Sequence, residues 1–191
     1  EVLLEKIGKK QTRVGVIGMG YVGTPLALAF AAQGFKVIGF DVDSARVGRI
    51  MSGESCIKTI PDEAIRKARE AGTLEATSSA VRLTEADCVI ICVPTPLTME
   101  KTPDLSYVEN ASRDILATLR LGQLVILEST TYPGTTVEIV KPILESKGLK
   151  AGADFFLAYS PEREDPGVKG HTITQIPKVV GGCDSDSLIV A

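Results

Sequence analysis

The chain has 191 residues, 44% hydrophobic and 24% charged, with a formal net charge of −3. That length admits one domain, or one domain and the start of another, and the composition excludes a disordered or collagen-like chain. With 21 Lys and Arg against 24 Asp and Glu and no basic cluster, the charge argues against a nucleic-acid or membrane-surface binder. The longest uncharged apolar stretch, residues 14–33, contains five Gly or Pro residues and reads as core, not as a membrane span. Four cysteines, Cys56, Cys88, Cys92 and Cys183, show neither CxxC nor a framework spacing, so a reducing, cytoplasmic setting is expected. The chain opens with Glu1 and not Met, and reads as a trimmed piece.

In chain order, residues 1–11 place Val2, Leu3 and Ile7 at helical spacing and predict a short leading helix. From Thr12 the pattern alternates. Arg13–Ile17 is a first strand, Tyr21–Gln33 a helix closed by Gly34, and Lys36–Phe40 a second strand ending at Asp41. Ser44–Met51 and Pro61–Ala71 read as helices, the second with Pro at its start and Gly72 after its end. Leu74–Thr77 is a short strand, and Cys88–Val93 is an apolar run of the kind buried on both faces. Asp104–Leu119 puts Leu105, Val108, Ser112, Ile115, Leu116 and Leu119 on one helical face, with Asp104 expected as N-cap. Leu124–Leu127 is a strand. Thr135 and Glu138 then have the spacing of a capping box for a helix running to Lys147, with a kink or break expected at Pro142. Phe155–Tyr159 is the sixth strand, and Lys178–Val180 is a candidate seventh. Strands separated by helices predict an α/β, Rossmann-like, doubly wound and mostly parallel sheet of six or more strands, with helices on both faces.

Gly18-Met19-Gly20-Tyr21-Val22-Gly23 follows the first strand directly and opens the next helix. The first glycine permits the tight turn and the second lets backbone approach a pyrophosphate. The third allows close helix–strand packing, and the helix N-terminus attracts phosphate. A GxGxxG string alone is weak evidence; a strand before it, a helix after it and an acid ending the second strand strengthen it. Asp41 lies 18 residues past Gly23, about where a carboxylate meets a ribose 2′-hydroxyl. The acid favours NAD over NADP. Arg46 leaves two options open: pairing with an added 2′-phosphate, or lying against adenine and ribose. Asp43 is the competing carboxylate, better read as the start of the next helix.

In open α/β sheets, ligands bind beyond the carboxyl ends of the strands. Five special segments fall there: the glycine loop, Asp41, Pro94-Thr95-Pro96, Glu128-Ser129-Thr130-Thr131 and Ser160-Pro161-Glu162-Arg163. Prolines on either side of Thr95 hold that loop extended. Glu128 reads as a buried, paired carboxylate that orients its loop. On residue statistics alone, the charged turn at Glu162 is more often solvated than catalytic.

The strings GMGYVGTPLA, CVPTPL, ESTTYPGTT, YSPEREDPG and KVVGG, in this order, resemble the N-terminal part of the UDP-glucose/GDP-mannose dehydrogenase family. SPEREDPG looks most like the branch that oxidises UDP-N-acetylglucosamine or related UDP-N-acetylhexosamines. The resemblance implies a nucleotide-sugar 6-dehydrogenase. Two NAD molecules take hydride in turn at the sugar C6, a cysteine holds the aldehyde and then the acyl group, and water releases the uronic acid. By motif, it implies that Glu162 is the acid/base and that Thr130 helps place water near the nicotinamide. It implies cofactor contacts at Gly18, Met19, Gly20, Tyr21, Val22, Gly23, Asp41, Arg46, Pro94, Thr95, Ser129 and Thr130. Glu162, Arg163 and Glu164 match the loop that approaches the sugar nucleotide.

The departures matter as well. The family's nucleophilic cysteine belongs to a later domain, and Cys88 and Cys92, two residues on one face of a buried strand, read as core. His171 reads as a loop residue, and no metal site is expected. The expected organisation is therefore a leading helix at 1–11, an NAD-binding domain at 12–183, and the start of a connection at 184–191. Such a piece should bind NAD without turning over, with a UDP-sugar as partner of the full protein and homo-oligomers expected for that full length. The alternatives are a stand-alone NAD-binding or sensor module, and a β-hydroxyacid-type dehydrogenase domain.

Overall fold

The structure, a computed structural model, describes residues 2–162 and 177–191. Its seven strands are β1 (Arg13–Ile17), β2 (Lys36–Phe40), β3 (Leu74–Thr77), β4 (Cys88–Ile91), β5 (Leu124–Leu127), β6 (Phe156–Tyr159) and β7 (Gly181–Gly182). They form one sheet in the order β3-β2-β1-β4-β5-β6-β7. All neighbours are parallel except β6 and β7. The chain thus starts in the middle, winds to one edge, and returns to wind to the other, which is the doubly wound arrangement.

The helices are α1 (Val2–Gly8), α2 (Gly23–Ala32), α3 (Ser44–Met51), α4 (Asp62–Glu70), α5 (Ser106–Thr118), α6 (Lys141–Glu145) and α7 (Ser185–Val190). A 3₁₀ segment covers Ala80–Glu85. Strand side chains alternate between the two faces, and both faces are covered. Cys88, Ile90, Leu124 and Ile126 join Leu26 of α2, Ile50 of α3 and Ile65 of α4 in one core. Val89, Ile91, Val125 and Leu127 join Val108 and Ile115 of α5 and Leu144 of α6 in the other. This explains why the strands read as unbroken apolar runs.

Three local expectations give way. The Thr135/Glu138 capping box does not form. Thr135 Oγ1 donates to the Tyr132 carbonyl at 2.8 Å, and residues Thr136–Val140 make a π turn, with the Lys141 N–H bonded to the Thr136 carbonyl. Pro142, at the start of α6, has no N–H to donate to the fourth residue back, and its ring crowds that carbonyl, so the wider turn precedes it. The seventh strand is not Lys178–Val180 but Gly181–Gly182, antiparallel to β6. A Cβ at Gly182 would lie 2.2 Å from the Leu188 nitrogen, so only glycine fits where α7 folds back against the sheet edge. Asp104 lies one residue before the cap position of α5, held by Leu105, yet its Oδ1 still accepts from the Ser106 N–H at 2.9 Å.

Residues 184–191, read as the start of a connection, make α7. Asp184 accepts from the Ser187 N–H at 2.8 Å as its N-cap, and Val190 is buried with the core of the α2 face.

Candidate functional site

The turn after β1 is built by two constraints on glycine. Gly18 has φ of 92°, and a Cβ there would stand 2.6 Å from the Cys92 carbonyl oxygen. Gly23 has the Gly18 carbonyl oxygen 1.9 Å from where its Cβ would be, so α2 rests directly on the loop. Gly20 differs. Nothing in the protein lies within 4 Å of its ideal Cβ, and that open space belongs to a cleft of about 670 Å³.

Met19 goes the other way. Its side chain is fully buried, and its sulfur occupies the space that a Cβ on Gly39 of β2 would need. Its N–H is donated to Asp41 Oδ2 at 2.8 Å. Of the six loop residues, Gly18, Gly20, Tyr21 and Val22 line the cleft, whereas Met19 and Gly23 shape the loop from beneath.

Asp41, at the end of β2, is 4% exposed and carries much of the local order. Its Oδ2 also accepts from Arg46 Nη1 at 2.8 Å, and its Oδ1 accepts from the Asp43 N–H at 2.9 Å. The hydrogen bond from Arg46 to Asp41 raises the guanidinium's pKa further, against a smaller opposing effect of burial. Arg46 is therefore charge-balanced by Asp41, which disfavours a 2′-phosphate at this end. Asp43 caps α3 by accepting from the Ala45 and Arg46 N–H groups, as its position at the helix start leads one to expect.

Beyond β4 and β5 the two loops are tied together. Thr95 Oγ1 donates to the Thr130 carbonyl, and Ser129 Oγ donates to the Val93 carbonyl at 2.8 Å. Pro94, Thr95, Ser129, Thr130 and Glu162 all line the same cleft as Asp41 and Arg46. Glu128 is buried and accepts from Lys178 Nζ, so it is the buried, paired carboxylate that its position suggested. Burial lowers the Lys178 pKa, with Cys92 nearby working the other way. Burial pushes the Cys88 thiol up to about 12, in keeping with a core residue and not a nucleophile. Arg163, Glu164 and His171 lie outside the described residues.

The sequence reading missed one wall. Tyr107, Asn110 and Asp114 of α5 also line the cleft, as does Val42 after β2. Residues 107, 110, 111 and 114 have i, i+3, i+4, i+7 spacing, a second stripe beside the one that packs into the core. Among the described residues, no three His, Cys, Asp or Glu side chains are grouped to hold a metal ion. No helix there is long and apolar enough to cross a membrane.

A doubly wound sheet with a glycine turn, a helix N-terminus and an acid on one crevice defines a dinucleotide-binding domain. The chain belongs to the UDP-glucose/GDP-mannose dehydrogenase family, whose NAD binding domain matches residues 12–190. It is 40% identical over 174 residues to UDP-N-acetyl-D-glucosamine 6-dehydrogenase of Pseudomonas aeruginosa, covering 91% of this chain and 40% of that protein. It is 37% identical over 171 residues to UDP-N-acetyl-D-mannosamine dehydrogenase of Pyrococcus horikoshii, covering 89% of this chain and 41% of the relative. An NDP-N-acetyl-D-galactosaminuronic acid dehydrogenase structure from Methanosarcina mazei superposes with a TM-score of 0.86 at 38% identity, over 98% of this chain and 42% of that one. The chain thus spans about two fifths of the length of the curated relatives it matches.

The residues present fit NAD. The void at Gly20 admits a phosphate against backbone, the positive end of the α2 dipole follows directly after the loop, and Asp41 Oδ1 keeps acceptor capacity beyond its single bond.

Proposed function

We propose that this chain is the cofactor-binding part of a nucleotide-sugar 6-dehydrogenase acting on a UDP-N-acetylhexosamine. The observation that carries the reading is the single cleft joining the glycine loop, Asp41–Arg46, Thr95–Thr130 and Glu162 across the strand ends from β2 to β6. Two relatives named for N-acetylated sugar nucleotides, the UDP-N-acetyl-D-glucosamine 6-dehydrogenase and the UDP-N-acetyl-D-mannosamine dehydrogenase, support the substrate class.

NAD, when bound, accepts hydride from the sugar C6. Gly20 and the start of α2 hold the pyrophosphate, and Asp41 accepts from the adenosine ribose. Pro94, Thr95, Ser129 and Thr130 wall the cleft toward the nicotinamide, with Thr130 placing water. Glu162 takes a proton from that water as its oxygen attacks the acyl carbon; the carbon–sulfur bond to the family's cysteine breaks, the sulfur leaves as thiolate, and the uronate is released. The nucleophile and most of the sugar pocket belong to the remaining three fifths of the relatives' length, so turnover needs the whole protein.

Gly20→Val tests the cofactor assignment, because the Cβ of the new side chain has no protein atom beyond its chain neighbours within 4 Å and stands in the cleft. Calorimetric titration should show NAD affinity falling at least tenfold while the melting temperature stays within about 2 °C of wild type. Unchanged affinity would remove the glycine loop from the site. In the whole protein, Glu162→Gln should slow uronate release while leaving the first hydride transfer measurable in a single turnover. Normal release would rule out the role given to Glu162.

A further inference from the structure

The α5 wall carries groups that the reading above leaves without work. α5 packs against the 3₁₀ segment 80–85, which itself packs on β1 and β2, so its cleft-facing stripe lies on the β2 side. Asp41 and Arg46 stand on that same side. Beyond the ribose that Asp41 would hold, the next part of the cofactor is its base. Val42 is 81% exposed and Tyr107 47% exposed, and both border the cleft. Two apolar surfaces left open at one end of a cleft suit a flat heteroaromatic ring that covers them.

The same cleft also has a polar edge, made by Asn110 and Asp114. Among the described residues, the Asp114 carboxylate takes part in no hydrogen bond or ion pair, and Asn110 Oδ1 has only a long contact of 3.5 Å from Arg113. Partial burial raises the Asp114 pKa. An ionised carboxylate only accepts hydrogen bonds, and a primary amide both donates and accepts. Adenine presents a donor at its 6-amino group and an acceptor at N1. Hypoxanthine inverts both, with an acceptor oxygen at C6 and a donor at N1.

We infer that Asp114, with Asn110 beside it, reads the 6-amino edge of the cofactor's adenine, and that this pair sets the base specificity of the cleft. Asp114 accepts from the 6-amino group and the Asn110 amide donates to N1, while Val42 and Tyr107 cover the ring. A 6-oxo purine would set oxygen against the Asp114 carboxylate and leave that group desolvated without a donor. The inference rests on the cofactor reading, but it assigns a task to residues that reading does not use.

The test is titration of the chain at pH 8 with NAD and with nicotinamide hypoxanthine dinucleotide, which differs only at the base. Wild type should bind NAD about tenfold or more tightly than the hypoxanthine analogue. Asp114→Asn, nearly isosteric and able to donate to a 6-oxo group, should bring the two affinities within about threefold of one another or invert them. Asp114→Leu should weaken NAD and lose the preference. Equal binding of the two dinucleotides by wild type overturns the inference while leaving the cofactor reading intact, as does a preference that persists unchanged in Asp114→Asn. Failure of wild type to bind either dinucleotide removes both.

Discussion

The two ends of one sheet use charge in opposite ways. At the amino ends of the strands, Asp87 takes Lys6 Nζ at 3.0 Å, Arg120 Nη2 at 2.8 Å and the Arg13 N–H at 3.0 Å. Beside it, Arg82 bridges Glu75 and Glu85, each at 2.7 Å, and Arg13 reaches Glu85 as well. These groups neutralise one another around the bottom edge and tie α1, the 3₁₀ segment and the turn after α5 to the sheet. At the carboxyl ends, polar atoms are fixed by one or two bonds each and keep capacity toward an open cleft. Asp41 shows the contrast within one residue: Oδ2 is committed to the loop and Arg46, while Oδ1 has only the Asp43 N–H. A strand end reads as functional when its polar atoms are held but not saturated.

Two substitutions separate the ends. The larger effect is expected for Asp41→Ala, which frees the Met19 N–H and leaves Arg46 without its partner. NAD affinity should fall more than tenfold, and stability by about 2 kcal/mol by urea denaturation. A variant that kept its affinity would mean that Asp41 serves the loop alone. Asp87→Asn should cost about 1 kcal/mol, since Lys6 and Arg120 are each two fifths exposed and solvent screens them, and should leave NAD affinity within twofold of wild type.

The pH dependence has a definite sign. Burial works to raise the Asp87 pKa, but the bonds from Arg120, the Arg13 N–H and Lys6 outweigh it and hold the folded-state value below the ordinary carboxylate range. The stability gap between wild type and Asp87→Asn should therefore be full above about pH 4 and close as pH falls through the lower folded-state value. A gap that widened in acid would mean that burial, not pairing, dominates at Asp87.

The sheet was legible because every central strand is buried on both faces and carries the uninterrupted apolar run that such burial requires. The glycine loop was legible because each glycine has its own geometric reason. The capping box was not, because Thr135 and Glu138 have the spacing while Pro142, downstream, withholds the N–H that a regular helix there would use. Lys178–Val180 has a strand's composition, but pairing depends on which residue can lie beneath α7, and only a glycine can. The α5 wall escaped because the apolar stripe that identifies a helix says nothing of the stripe beside it. Which way Asn110 and Asp114 face depends on where the 3₁₀ segment packs, and that is a tertiary fact.

The burial of Met19 against Gly39 has a further consequence. Position 39 lies inside a strand and has no side chain to offer a ligand, yet that missing side chain is the socket into which the dinucleotide turn is plugged. The two positions share one fixed volume. A methyl group added at 39 would have to be matched by a shorter residue at 19, or the turn would be levered out of register with α2. Shape of the nucleotide cradle is in this sense stored one strand away, as a size rule linking two residues that never meet the cofactor with their side chains.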